Sequence, residues 1–240
     1  KLAAVLQGRS PASLLHTYTA ERRAIAQNLI DFDREWAAML SAPLKTSPDG
    51  EGVDPGEVQA YFVAHGRYTA GTATRYAPAL LTGGSEHQGL AQGFEIGTRF
   101  HSAPVVRLAD AKRIELIETL AAEGRWRLLA FADRADPSDP DSAIARLCTF
   151  LATSADSPVR RHTPRGADID AVFDVMAVFQ QGHRDLAFEA MPALLKPSKG
   201  RYGLTDYEKM YCPDLKTGPD VFDLRGVDRD RGALVIVRPD

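Results

Sequence analysis

The side chains able to act as nucleophiles, metal ligands or proton carriers are few, and their spacing suits none of these tasks. Six histidines stand at positions 16, 65, 87, 101, 162 and 183, without an H-E-x-x-H or other ligand spacing. His87 and His101 fall in an irregular segment where they could line a pocket, although a surface or packing role is the better reading of both. Cys148 and Cys212 lie too far apart to suggest a redox or zinc pair. Cys148, inside the periodic stretch SAIARLCTFLA, reads as a small buried apolar residue. The acidic run DRADPSDPD lacks the turn glycine and twelfth-position glutamate of a calcium loop. It reads instead as a solvated turn that caps a helix. Asp31 and Asp33, two apart on a helix, point in different directions and cannot share one proton-transfer task. No G-x-S-x-G elbow, phosphate loop or strand-linked G-x-G-x-x-G occurs. Arg160, Arg161, His162 and Arg165 read as a solvated basic loop. Tyr202, Tyr207 and Tyr211 fit an interface or an aromatic cover over a core equally well. Taken alone, these residues name no reaction.

The elements that would position them fall into two parts. Ser10-Pro11 is a helix start, with serine at the N-cap and proline at the first helical position. From there Tyr18, Ile25 and Phe32 interleave with Leu15, Arg22, Leu29 and Trp36 as an apolar stripe reaching about Leu40. Such a helix spans roughly 40 Å. Arg22 falls on the stripe, with Glu21 or an outside carboxylate as its partner. SPDGEGVDPGE is a loop, and GEVQAYFVAHGRY a helix closed near Gly66. Residues 69–104 are rich in glycine and proline, and too long for an idle connection. After them strands and helices alternate. VVRLA, WRLLAFAD, AVFDVMAVFQ and RGALVIVRP read as strands; DAKRIELIETLAAEG and PSDPDSAIARLCTFLATS read as helices. The expected architecture is α/β, with a helical segment over 1–100 and an α/β domain over 101–240.

The 240 residues carry a net charge of −3, which gives no reason to expect nucleic acid or an anionic membrane. No apolar run approaches the roughly 20 residues of a membrane span. Two cysteines suit a reducing, cytoplasmic protein. The chain opens inside an apolar helix closed by Gly8 and stops just after a strand, so it reads as a piece of a longer protein.

Several stretches carry a family resemblance. KLAAVLQGRSPASLLHTYTAERRAIAQNLIDFDREW resembles the helical end of the FAD domain in flavin-dependent aromatic hydroxylases, with Tyr18, Glu21 and Arg22 matching a tyrosine followed by Glu-Arg. GFEIGTRFHSAP resembles the family's G-x-R-x-P linker, at Gly97, Arg99 and Ala103-Pro104, with histidine and serine intervening before the proline. ALVIVRPD resembles its closing V-R-P-D strand. RYTAGTATRYAPALL and GRYGLTDYEKMYCPDLKTGPDVFDLRG resemble the phenol 2-monooxygenase branch, most of all its members acting on 3-hydroxybenzoate.

The resemblance implies FAD, NADPH and O2, and hydroxylation of a phenolic ring ortho to its hydroxyl; phenol itself is the alternative substrate. It also implies a homodimer and a thioredoxin-like α/β domain lacking its last strand and helix. No thiol chemistry is expected there, since Arg134, Ala135, Asp136 and Pro137 stand where a C-x-x-C would follow the strand, and no proline precedes ALVIVRP. The family's dinucleotide glycines and substrate contacts match no position of this chain. The expectation is therefore of no catalytic, cofactor-binding or metal-ligating residue here, and of a long first helix acting as a strut. The competing reading is a free-standing, non-catalytic thioredoxin-like interaction module.

Overall fold

The computed structural model describes residues 1–45, 50–216 and 218–239. The start of the SPDGEGVDPGE loop, Thr217 and the final Asp240 lie outside the described residues. The chain forms two compact units, Lys1–Gly84 with Ile96–Arg99 and Ser85–Glu95 with Phe100–Asp240. Residues 85–95 thus belong with the α/β part, ahead of the expected change at residue 100. The reason is local pairing. Gln92 and Gly93 donate to the carbonyls of Gly226 and Arg225 at 3.1 and 2.8 Å, and Phe94 stacks on Phe100 at 5.0 Å.

The first unit is helical. α1 (Leu2–Leu6) ends at a left-handed Gly8. A 3-10 turn at Ala12–Leu15 leads into α2, His16–Ser41, of 26 residues. Ser10 makes no cap here; Pro11 takes that place, because the 3-10 turn intervenes before the α-helix begins. The inward positions of α2 include Glu21, Ile25, Phe32 and Trp36, whereas Tyr18, Arg22 and Leu29 are exposed. The buried charge is therefore Glu21, one position from the expected Arg22, and Lys1 meets it at 2.5 Å. α3 (Pro55–Thr69) starts where Asp54 accepts from the Gly56 amide at 2.6 Å. It continues through Gly66 and ends at Ala70, beyond which Gly71 takes a φ of 68°. Gly71, not Gly66, is the terminator. α2 and α3 meet through rings: Tyr61 lies 5.8 Å from Phe32, 5.9 Å from Trp36 and 4.0 Å from His65.

The second unit is mixed α/β. Its strands are β1 (Pro104–Arg107), β2 (Arg113–Glu115), β3 (Trp126–Phe131) and β4 (Phe173–Val178). A small hairpin, β5 (Ser198–Lys199) and β6 (Leu204–Thr205), precedes β7 (Met210–Pro213) and β8 (Ala233–Val237). The six-stranded sheet runs β2-β1-β7-β4-β3-β8. The three central strands β7, β4 and β3 are parallel, and β8 lies antiparallel beside β3 as an edge. α4 (Ala143–Thr153) and α5 (Pro158–His162) form the β3-to-β4 crossover, each capped by a serine, Ser142 and Ser157. A one-turn α6, Val221–Leu224, precedes β8.

Alternation along the strands divides the core in two. Leu128, Ala130, Val175 and Ala177 pack under α4 with Ile144, Cys148 and Leu151. Leu129, Phe131, Met176 and Val178 pack on the opposite face with Leu116, Tyr211 and Phe222.

The helix expected over DAKRIELIETLAAEG is not formed. Arg107 and Lys112 close a tight turn by an amide-to-carbonyl bond of 2.8 Å. Arg113–Glu115 then pairs with Pro104–Val106, and a single 3-10 turn, Leu116–Thr119, follows. Local helical periodicity yields because the hairpin gives these residues a sheet to join and buries Leu116 completely.

Candidate functional site

The densest polar chemistry of the chain lies at the amino ends of the parallel strands. β3 and β4 are apolar except at their second residues. Arg127 and Asp174 stand directly opposite one another in the register. Both are buried, and the Arg127 Nε lies 3.5 Å from Asp174 Oδ2. Lys209, the residue before β7, is also buried and donates to Asp170 at 2.7 Å and Asp174 at 2.5 Å. Arg125 reaches Asp170 at 3.2 Å. Lys199, from β5, meets Asp170 at 2.8 Å and Asp206 at 3.2 Å. Four cations thus surround Asp170, Asp174 and Asp206, exposed Glu123 also pairs with Arg125 and Arg127, and the cluster ties β3, β4, β5 and the approach to β7 together.

Burial alone would raise the pKa of Asp170, but hydrogen bonds from Lys199 and Lys209 outweigh it and hold the group at about 2. The carboxylate is therefore ionised throughout the physiological range. A fixed ion pair of this kind orients backbone and stores no exchangeable proton, so the cluster positions elements rather than transferring protons.

Two neighbouring arrangements extend it. Arg107 pairs with Asp110 and Glu208, and the guanidinium holds Asp110 at about 2. Tyr211 is buried and donates its hydroxyl to the Glu208 carbonyl. The three tyrosines therefore separate. Tyr211 belongs to the core, Tyr207 stacks on Phe188 at 5.0 Å, and Tyr202 projects from the β5–β6 hairpin.

The position after β3 shows no thiol site. Arg134 forms an ion pair with Asp230 at 2.7 Å, and the Gln181 amide donates to the Ala135 carbonyl at 3.0 Å. Cys148 and Cys212 are unpaired and buried, and burial raises both thiols to about 12. His87 is exposed and His101 half-buried. Among the described residues no group of histidine, cysteine and carboxylate side chains could hold a metal. Arg160, Arg161 and His162 form the exposed face of the short α5, and Arg160 donates to the Thr153 carbonyl at the end of α4 at 2.5 Å. In the acidic run, Asp136 and Asp139 accept from the amides of Ser138 and Asp141, turning the chain into α4.

FAD is the cofactor that the resemblance implies, and the described residues do not fit its phosphates. The amide donors that open α3 and α4 are taken by Asp54 and Ser142. The loop after β3 carries Asp133, Asp136, Asp139 and Asp141 where a pyrophosphate would need glycine amides.

The linker glycine is built into the first unit. Gly97 has a φ of 86°, and a Cβ there would stand 2.1 Å from the Tyr76 carbonyl oxygen. Tyr76 also donates its amide to Gly97 O at 2.8 Å. Arg99 is exposed, and Ala103-Pro104 leads into β1. Neither Arg127, Asp170, Asp174 nor Lys209 was visible from motif reasoning. The available signal was a charged residue at the second position of two otherwise apolar strand patterns, WRLLAF and FDVMAV.

Residues 74–240 match the family model of the phenol hydroxylase C-terminal dimerisation domain. The chain belongs to that family. The dimerisation-domain match covers the whole sheet unit from Phe100 onward, and similarity to known proteins runs further, through all of the chain. A 3-hydroxybenzoate 4-monooxygenase of Comamonas testosteroni is 57% identical over 241 residues, covering 100% of this chain and 38% of that protein. An FAD-dependent monooxygenase of Aspergillus terreus is 33% identical, again over 100% of this chain and 40% of its own length. A phenol 2-monooxygenase of Aspergillus fumigatus is 26% identical over 252 residues, covering 38% of its length. The chain therefore spans about two fifths of the length of these curated relatives. The family resemblance read from the motifs agrees with these matches.

Proposed function

We propose that this chain is part of a flavin-dependent monooxygenase that hydroxylates a phenolic ring ortho to its hydroxyl, converting 3-hydroxybenzoate to 3,4-dihydroxybenzoate with NADPH and O2. The observation that carries this reading is the 57% identity, sustained across the whole chain, to a 3-hydroxybenzoate 4-monooxygenase. Phenol is the alternative substrate, on the weaker likeness to a phenol 2-monooxygenase.

In this reading FAD and NADPH are bound by the rest of the enzyme, consistent with the poor fit of the described residues to a dinucleotide. The share of this chain is structural. The helical unit, Lys1–Gly84 with Ile96–Arg99, forms the end of the FAD domain and its linker, with α2 as a strut. Residues 101–240 form a thioredoxin-like, non-redox domain that holds a homodimer together. The parallel β3–β4 pair with β8 antiparallel beside it supports the fold, and the buried thiols support the lack of redox exchange. β8 is the edge strand of the sheet, and its Leu234 and Ile236 are 41% and 59% exposed. A reducing, cytoplasmic setting belongs to the same reading and fits two unpaired thiols. No helix among the described residues is long and apolar enough to cross a membrane.

The test is colour and product. The purified enzyme carrying this chain is expected to be yellow, to be bleached by NADPH faster when 3-hydroxybenzoate is present, and to release 3,4-dihydroxybenzoate. A colourless protein sinks the flavoenzyme reading; a yellow one stimulated only by phenol moves the substrate to the alternative.

A further inference from the structure

We propose that the β5–β6 hairpin is the central contact of the homodimer, its tip docking onto an acid-lined depression beside the same hairpin on a second copy. This rests on the dimerising role proposed above and assigns the surface that performs it.

The hairpin is short, exposed and held still. Its loop, Gly200–Gly203, is closed by a bond from the Gly203 amide to the Gly200 carbonyl at 3.1 Å. The Gly200 amide donates to both carboxylate oxygens of Asp168, at 3.0 and 3.2 Å. Lys199 roots β5 in the buried cluster through Asp170 and Asp206. At the tip the Arg201 guanidinium lies over the Tyr202 ring at 4.5 Å, and Tyr202 is 72% and Leu204 69% exposed. Folding gains nothing from ordering a tyrosine and an arginine in water, so a locked tip of this composition suits recognition. Tyrosine and arginine are the side chains that concentrate binding energy at interfaces, and prior ordering lowers the entropy lost on docking.

Charge selects the occupant. The tip carries Arg201, and the adjoining depression is lined by three carboxylates, Asp168, Asp206 and Glu208, against one cation, Lys199, with Leu204 and Tyr207 as its apolar part. Asp206 pairs with Lys199, and Glu208, paired with Arg107, keeps 70% of its side chain exposed. One copy thus offers a basic aromatic finger and an acidic seat side by side. A two-fold axis places each finger in the other copy's seat, the reciprocal arrangement that an isologous dimer requires. A stable interface buries roughly 800 Å² per partner, so the hairpin is its centre and not its full extent.

The test uses the enzyme that carries this chain. Sedimentation velocity over a dilution series is expected to show a dimer whose dissociation constant rises at least tenfold for Tyr202→Ala and again for Arg201→Glu. Phe150→Ala, on exposed α4, should leave it unchanged. Flavin absorbance and unfolding temperature are expected to stay at the parent values, since both hairpin side chains are exposed. Dissociation constants within twofold of the parent overturn the proposal, as does a monomeric parent. Loss of flavin or of thermal stability at unchanged dimer affinity also overturns it, by assigning the hairpin to contacts within one chain. The absence of flavin from the parent would count against the flavoenzyme reading alone, because sedimentation reads the dimer independently.

Discussion

Arg127 and Asp174 face each other across neighbouring parallel strands, with the arginine Nε 3.5 Å from the carboxylate. Lys209 completes the balance from the start of the third parallel strand. The amino ends of all three are therefore joined by charge where the rest of the strands is apolar, and two predictions start from this arrangement.

Removing the lysine should cost more than the cluster contributes. Lys209→Met leaves Asp170 and Asp174 buried beside fewer cations, and breaking a buried pair in this way costs about 3–5 kcal/mol. Urea unfolding of the parent and variant measures it. A loss below about 1 kcal/mol would show that water reaches the cluster.

The same cluster sets an acid limit. The folded pKa of Asp170, about 2, lies below its ordinary value of 3.8. A depressed carboxylate stabilises the fold above the unfolded pKa, and that contribution fades as pH falls from about 4 towards 2. The shift corresponds to roughly 2 kcal/mol. Asp170→Asn should flatten the stability curve over that window, and an unchanged curve would remove Asp170 as its source.

Cys148 and Cys212 should be silent in the native protein. With both thiols near 12, the reactive thiolate at pH 8 is roughly a thousandfold scarcer than for an ordinary cysteine, and burial slows access further. A chromogenic disulfide reagent is expected to titrate neither until denaturant is added. Fast labelling of either one before unfolding contradicts the burial described.

Gly97→Ala should damage the first unit. The added methyl meets the Tyr76 carbonyl at 2.1 Å in a left-handed conformation, a strain of about 3 kcal/mol. The unfolding temperature reports it. Gly83→Ala, where a Cβ meets nothing within 4 Å, is the matched control.

Sequence and structure agree where side chains met their own neighbours. WRLLAF, FDVMAV and ALVIV are apolar enough to be strands on sight, and the helix expected over PSDPDSAIARLCTFLATS forms from Ala143, behind the cap at Ser142. They diverge where distant partners decide. RIELIETL has a helical period, yet β1 draws its first three residues into the sheet. Arg22 looks like part of the stripe in a seven-residue count, but the helix turns Glu21 inward to meet Lys1. The charged cluster joins residues 125, 127, 170, 174, 199, 206 and 209, a grouping that no local window contains. The β5–β6 hairpin, only two residues per strand, is too short to leave a pattern.

The order of the sheet also has a consequence during synthesis. β1 reaches the parallel core only through β7, pairing Val106 with Cys212. The β1–β2 hairpin therefore leaves the ribosome long before the strand that seats it, and waits with one side unpaired while β3, α4 and β4 assemble. The nascent chain is most open to mispairing in that interval, and docking of residues 210–213 is the event that ends it.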